Sequence, residues 1–167
     1  SALKSAAKVK DKEFRNLINW MYLKTTRNGA TFAEYKKFIE QNEDYPRINR
    51  IRYLAEEKIY LRNNSPTSVI NWFEKYPPLG GLGKIKLAEA YLEQGRTEKV
   101  KELIKEGWVT AAIRKNDLGY YRAKFKKFID SDDHIKRADH LAWEKKYWDL
   151  KRMLKYLPKD QRALYNA

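Results

Sequence analysis

Few residues in this chain have the types and spacing that chemistry requires. Histidine and carboxylates cluster in one place, Asp132-Asp133-His134 followed by Asp139-His140. The two histidines lie six positions apart, on opposite sides of a helix, whereas a helical zinc pair needs i, i+4 spacing. This spacing predicts no metal site. The aspartates read as helix caps that favour the positive end of the helix dipole, with the histidines packed or solvated. Asp132 and Asp160 are the expected cap positions.

The run Gly80-Gly81-Leu82-Gly83-Lys84-Ile85 invites comparison with a phosphate-binding loop. Such a loop needs a glycine five positions before the Gly-Lys pair and a Ser or Thr after it. Pro78 and Ile85 stand there instead, and the preceding segment reads as helix, not strand. The run predicts a turn between helices. Glu34, Glu40, Glu56 and Glu57 offer carboxylates, but glycoside chemistry needs an acid whose pKa burial has raised, often with a second carboxylate beside it. No Glu in the chain is followed by Ser, and these acids read as the wet face of amphipathic helices. The absence of Cys excludes a thiolate nucleophile, a thiolate metal site and a disulfide framework. No catalytic residue, cofactor or metal is expected. Of the five Trp, Trp20, Trp72, Trp108 and Trp143 sit in apolar helical stretches and are expected in the core. Trp148, beside Tyr147, is the surface candidate for stacking.

The elements that would position these residues are helical throughout. Apolar residues recur at i, i+3, i+4, i+7 in Phe14-Leu17-Ile18-Met21, Ile48-Ile51-Ala55-Ile59 and Ile85-Ala88-Leu92. They do so again in Val100-Leu103-Ile104-Trp108, Ile135-Ala138-Leu141-Ala142 and Tyr147-Leu150-Leu154-Leu157. No stretch alternates long enough to argue a strand. Thr31 with Glu34 forms a capping box, and Ser65-Pro66 reads as an N-cap with proline at the first helical position. Gly95 marks a helix reversal that needs a left-handed residue, and Pro77-Pro78 with Gly80-Gly81 ends another helix. About nine or ten helices of roughly 12 residues result, joined by short turns that force neighbours antiparallel. Ala88-Glu89-Ala90-Tyr91, Gly95, Val100 and Leu103 resemble a tetratricopeptide pair. Ala138 to Leu157 has the same layout without a strict repeat period, so a helical solenoid is expected.

The chain has 167 residues, 36 Lys+Arg against 22 Asp+Glu, and a formal net charge of +14. That length suits one domain, and 43% hydrophobic residues with 14% aromatics exclude a disordered chain. The longest apolar stretches fall short of the ~20 residues a bilayer span needs. The start, Ser1-Ala2-Leu3-Lys4, has neither an initiator Met nor the apolar core of a secretory leader and reads as a processed end. The charge favours an anionic partner, but it is diluted with acids everywhere. Residues 1–62 carry 14 basic and 8 acidic groups, residues 63–118 carry 9 and 7, and residues 119–167 carry 13 and 7. The pairs Lys36-Lys37, Lys126-Lys127 and Lys145-Lys146 read as solvated helix faces, and nucleic acid is not the expected partner.

Several stretches together resemble the soluble lytic murein transglycosylase family, in its non-catalytic, α-superhelical N-terminal part. They are Asp133-His134-x-x-Arg137 with Leu141 and Trp143, then Arg152-Met153-Leu154 and Arg162-Ala163-Leu164. Upstream lie Trp72-Phe73, Pro77-Pro78-Leu79, Gly83-Lys84 and Gly95, and before them Tyr45-Pro46 with Leu54-Ala55-Glu56-Glu57. The resemblance spans roughly residues 30–167. Ala142 stands where the family usually has a second Leu, and Lys145 where it usually has a Gly. The family's catalytic Glu-Ser pair has no counterpart here. The resemblance implies an all-α, right-handed superhelix over 1–167 as a single domain, part of a periplasmic enzyme that cleaves peptidoglycan between N-acetylmuramic acid and N-acetylglucosamine. It implies a scaffold that positions its own separate catalytic domain and guides glycan strands weakly along a basic groove. Asp133, His134, Arg137, Leu141, Trp143, Arg152 and Met153 are then structural motif residues. The alternative expectation is a free-standing tetratricopeptide-like module that docks a peptide.

Overall fold

The computed structural model of the protein describes residues 11–165; the Ser1–Lys4 start lies outside them. As the apolar periodicity predicts, the chain is all-helical: ten α-helices and no strand among the described residues. The chain divides into two compact units, Ser1–Tyr60 and Leu61–Ala167, where the sequence reading treats 1–167 as one domain.

The first unit contains α1 (Lys12–Leu23), α2 (Phe32–Gln41) and α3 (Ile48–Glu56). The expected capping box starts α2: the Glu34 amide donates to Thr31 Oγ1 at 3.3 Å, and the Thr31 amide donates to Glu34 Oε2 at 2.7 Å. Tyr35 is buried, and its hydroxyl donates to the Leu23 carbonyl at 2.7 Å while accepting from Asn28 Nδ2 at 2.8 Å. One side chain thereby satisfies the end of α1 and fixes its distance from α2. Phe38, Ile39, Ile51, Leu54 and Ala55 are buried in this unit. The stripe Phe14-Leu17-Ile18-Met21, expected inside, is 41–51% exposed at Phe14, Leu17 and Met21 and half-buried at Ile18. At 100° per residue, it lies opposite the Asn16, Asn19 and Leu23 positions that face α2.

The second unit contains α4 (Pro66–Lys75), α5 (Gly81–Glu93), α6 (Val100–Thr110), α7 (Lys115–Lys124), α8 (Ser131–Trp143), α9 (Tyr147–Met153) and α10 (Lys159–Arg162). Ser65 caps α4 with Pro66 in its first turn, as expected. Helix α5 packs on α4 and α6, and α6 packs on α8, which carries α9. Trp72, Phe73, Ile85, Ala88, Ile104, Trp108, Phe125, Ala138 and Met153 are buried here.

The glycines that suggest a phosphate loop serve packing instead. Gly80 is the N-cap of α5, and Gly81 to Ile85 are already helical, so the turn expected over residues 80–85 is corrected: the chain turns before Gly81. A Cβ on Gly81 would meet the Ala111 amide nitrogen at 2.6 Å and the Gly107 carbonyl at 2.8 Å, and one on Gly107 would meet the Gly81 carbonyl at 2.7 Å. The two backbones touch where α5 begins and α6 ends, which only glycine permits at both positions.

The two helical hairpins α5–α6 and α8–α9 turn by the same device. Gly95 has φ +71°; its amide donates to the Leu92 carbonyl at 3.0 Å, and the Arg96 amide to the Tyr91 carbonyl at 2.9 Å. Lys145 has φ +56°; its amide donates to Ala142 at 3.0 Å, and the Lys146 amide to Leu141 at 2.8 Å. Both are Schellman turns, with the left-handed residue just past the helix end. The following residues match as well: Arg96 at φ −88°, ψ 64° and Lys146 at φ −87°, ψ 63°. The shared layout read from the sequence is therefore a shared backbone geometry.

Three further expectations need correction. The N-cap of α8 is Asp130, not Asp132: its Oδ1 accepts the Asp133 amide at 3.1 Å, and the Asp130 amide donates to Asp133 Oδ2 at 2.9 Å. Capping needs an extended residue just before the first turn, and Asp130 has that backbone, whereas Asp132 is inside the helix, paired with Lys136 at 2.9 Å. Asp160 likewise lies inside α10, whose N-cap is Pro158. The buried stripe around α9 runs through Met153 and Leu157, while Tyr147 is 63% exposed. The helix tightens to a 3₁₀ turn at Leu154–Tyr156, which advances the phase.

A left-handed backbone costs an L-residue with a Cβ about 1–2 kcal/mol, which glycine avoids. Lys145→Gly is therefore expected to raise unfolding stability by about 1 kcal/mol, and Gly95→Lys to lower it by about as much. Urea denaturation midpoints of the two variants check the pair.

Candidate functional site

The run Asp133, His134 and Arg137 enters the protein through α8 and faces α6. Asp133 is 3% exposed, and its Oδ2 accepts Lys105 Nζ from α6 at 2.6 Å. His134 is buried, and its Nδ1 accepts the Trp108 indole N–H at 3.1 Å. Arg137 is 2% exposed and donates from one terminal nitrogen to the carbonyls of Trp108 at 2.7 Å and Ala111 at 2.8 Å. Its guanidinium lies 5.3 Å from the Trp108 ring centroid. The last carbonyls of α6 have no partner within their own helix and carry its negative dipole end. A buried guanidinium answers both needs. Burial pulls the Arg137 pKa down to about 10 against the pull of Asp149, so the group stays charged at neutral pH. The three residues bolt α8 to α6.

The other motif residues divide. Leu141 and Met153 are buried, and Arg152 pairs with Asp149 at 2.7 Å on the same helix. Trp143, expected in the core, is 84% exposed. Helix α8 buries the face through His134, Arg137, Ala138 and Leu141, and a position two residues beyond Leu141 points about 200° away from it. Trp72 and Trp108 are buried as expected, and Trp148 is 67% exposed as expected.

A second polar constellation joins α5 and α7. Glu89 is 5% exposed and accepts from the Tyr120 hydroxyl, and Lys124 Nζ stands 3.3 Å from the Glu89 carboxylate and also pairs with Glu93. Burial and the hydrogen bond to Glu89 push Tyr120 above the usual phenol range. Burial pulls Lys124 down, but its hydrogen bonds to Glu93 and Tyr120 and the Glu89 charge outweigh it and raise its pKa. Both groups hold their protons at neutral pH, so this is a strut between helices and not an acid–base pair. Among the described residues no group of three or more His, Asp or Glu is placed to hold a metal.

A recess in this unit lies at the α8–α9 hairpin. Leu141, Ala142, Lys145, Lys146, Tyr147, Leu150, Leu164 and Tyr165 line a cleft of about 420 Å³. The Tyr165 hydroxyl donates to Asp139, which holds the C-terminal turn against α8; burial and that bond push Tyr165 up to about 12. Tyr147 of the cleft lining meets Trp148 edge-on at 5.3 Å, and Lys151 Nζ lies 5.6 Å from the Trp148 ring centroid. The result is an apolar floor, two lysines on the rim and exposed aromatic rings beside it. Trp148 is exposed and Lys145-Lys146 are solvated, as the sequence reading expects, and the two lysines also line the cleft. The left-handed Lys145 is what places the pair on the cleft, and a lysine at a position that wants glycine was the available signal.

Comparison with known protein families, with curated proteins and with solved structures found no match. Among the described residues no helix is long and apolar enough to cross a membrane.

Two stability predictions follow from the α6–α8 bolt. Arg137→Met strips two buried carbonyls of their donor and is expected to cost about 2–4 kcal/mol, with Arg137→Lys recovering part of it; chemical denaturation measures both. Burial, with the Arg122 charge, pushes the His134 pKa below the ordinary imidazole range, Arg137 adding to the effect and Asp133 and Asp130 opposing it. The unfolded chain takes up a proton below about pH 6.5 while the folded ring stays neutral. Stability is thus full above that pH and falls as the pH drops through it towards the folded value. The melting temperature should fall more between about pH 7.5 and 5.5 for the wild type than for His134→Gln, which keeps an acceptor for Trp108 but does not titrate.

Proposed function

We propose that this chain is a non-catalytic helical scaffold of the soluble lytic murein transglycosylase kind. On this reading it works in the periplasm, positions a separate catalytic domain and guides peptidoglycan strands. The observation that carries the reading is the α8–α9 cleft, where Lys145 and Lys146 rim an apolar floor beside Tyr147 and Trp148. Exposed aromatic rings stack on the apolar faces of sugars, and the lysines attract the carboxylates of peptide stems through a charge effect that salt weakens. The helix order supports a stacked solenoid: α6 packs on α5 and α8, and α7 is tied to α5 by Lys124. The left-handed Lys145 falls where the family usually has a glycine, which supports the alignment of the hairpin. Asp133, His134 and Arg137 are consumed in packing, as residues of a scaffold motif would be.

A second reading, a peptide-docking module of tetratricopeptide type, is favoured by the apolar side chains Leu141, Leu150 and Leu164 in the same cleft. Co-sedimentation with purified sacculi separates the two. The scaffold reading expects binding at low ionic strength, lost as salt shortens the Debye length from about 30 Å to about 8 Å. It also expects loss at low salt in Lys145→Glu/Lys146→Glu/Trp148→Ala. No binding at low salt, or binding indifferent to those substitutions, overturns the guiding role of this cleft.

A further inference from the structure

Residues 142–148, which carry the chain from the end of α8 into α9, are exposed without a break. Trp143 is 84% exposed, Tyr147 63% and Trp148 67%, and Leu164, which lines the cleft with Tyr147, is 69% exposed. Trp143 ends α8 and Tyr147 begins α9, so the rings flank the left-handed Lys145 and stand at one end of the hairpin. The other tryptophans are withdrawn from solvent: Trp72 and Trp108 are buried and Trp20 is half-buried. Large apolar side chains scattered singly over a surface need no explanation, but several gathered at one turn mark a contact surface.

Charge narrows what that surface meets. Residues 143–155 carry five basic and two acidic side chains, and one of the acids, Asp149, is already paired with Arg152 at 2.7 Å. Lys145, Lys146, Lys151 and Lys155 are exposed. A second copy of the chain, docked about a two-fold axis, would set these lysines against their own counterparts, and like charges oppose that contact. A nucleic acid strand stacks successive bases on ring faces, whereas the Tyr147 and Trp148 planes stand 76° apart and Lys151 Nζ lies 5.6 Å from the Trp148 centroid. An anionic bilayer needs no such alignment. Its interface takes Trp and Tyr at the headgroup level, apolar body inward and polar tip in water. Lysines lay their methylene stems along the same boundary while their ammonium groups meet the phosphates.

We propose that the α8–α9 turn is a peripheral membrane-docking surface, in which Trp143, Tyr147 and Trp148 enter the interface of an anionic phospholipid bilayer and Lys145, Lys146 and Lys151 engage its headgroups. The inference does not rest on the scaffold reading. Trp143 lies outside the lining of the α8–α9 cleft, so the membrane surface and the strand-guiding cleft are separate claims.

The test is co-sedimentation of the 167-residue chain with vesicles of phosphatidylcholine alone and of phosphatidylcholine mixed equally with phosphatidylglycerol. The expected result is binding to the mixed vesicles at low salt, little to phosphatidylcholine alone, and weakening as salt is added. Lys145→Glu/Lys146→Glu should weaken binding by at least about tenfold. Lys126→Glu/Lys127→Glu changes the net charge equally at an exposed pair on another turn and should stay within about twofold of wild type. Trp143→Ala/Trp148→Ala keeps every charge and should still weaken binding about tenfold, because it removes apolar area from the interface. All these positions are exposed, so the variants should keep the wild-type melting temperature. No binding to the mixed vesicles at low salt overturns the proposal, as does equal loss in the two lysine variants or indifference to the tryptophan variant. Binding of oligothymidylate that the tryptophan variant loses, without vesicle binding, would assign the surface to a nucleic acid strand and overturn it too. Sacculus binding without vesicle binding would sink this inference and leave the scaffold reading standing. Vesicle binding without sacculus binding would do the reverse.

Discussion

The last carbonyls of α6 and the guanidinium of Arg137 form the contact on which the C-terminal unit depends. Helix α6 ends within van der Waals distance of the start of α5, because Gly81 and Gly107 let the backbones meet. No side chain from that direction can cap the helix end. The cap must come from the opposite side, and α8 supplies it through Arg137 to Trp108 and Ala111. A buried charge is costly unless it is paired. Here the partner is not a carboxylate but the partial negative charge of a helix C-terminus, with the Trp108 ring face beside it. A lysine could carry the same charge but not the planar guanidinium that lies beside the Trp108 ring. Once Arg137 is placed, His134 falls one turn earlier on the same face and meets the Trp108 indole, and Asp133 meets Lys105. The register of α8 on α6 is set by three polar contacts as much as by apolar burial.

The repeated Schellman turn shows how one backbone can tolerate different residues. In α5–α6 the left-handed position is glycine, and Arg96, the residue after it, stacks on Tyr91 at 4.7 Å. In α8–α9 the left-handed position is Lys145, and Leu141 takes the place of Tyr91. The strain accepted at Lys145 is local, and non-glycine left-handed residues concentrate where a side chain has work to do. Lys145 and the following Lys146 both line the α8–α9 cleft, so on the proposed reading the strain places cations there.

What the sequence made legible follows the range of the interactions. The Thr31–Glu34 box, the Ser65-Pro66 start and the Gly95 reversal depend on residues a few positions apart, and all three stand in the structure. The all-helical class followed from periodicity that most segments share. Errors arose where a choice depended on what lay across the gap. Asp132 and Asp130 are both good capping residues, and the reciprocal box with Asp133, whose side chain is also drawn to Lys105 of α6, falls to Asp130. Trp143 sits one residue past an apolar pair, and a phase difference of about 100° per residue carries it into solvent. The inverted face of α1 was the least legible feature. An apolar stripe normally predicts the buried side, and nothing local to Phe14, Leu17 and Met21 shows that α2 would be met by Asn16 and Asn19. The candidate site was half-visible for the same reason: Trp148 announced itself by its neighbour Tyr147, but the cleft beside it also needs Leu164 and Tyr165 from beyond α10.

The net charge of +14 does not by itself say what the recesses of the fold attract. At the α8–α9 cleft Lys145 and Lys146 stand beside Tyr147, and exposed charges of this kind act over a Debye length that salt shortens. At the α1–α2 cleft Glu34 and Lys37 carry opposite signs, so the local field there is small although the chain as a whole is strongly basic. The sign and spacing of the charges at a recess, rather than the total over the chain, decide which ligand it draws.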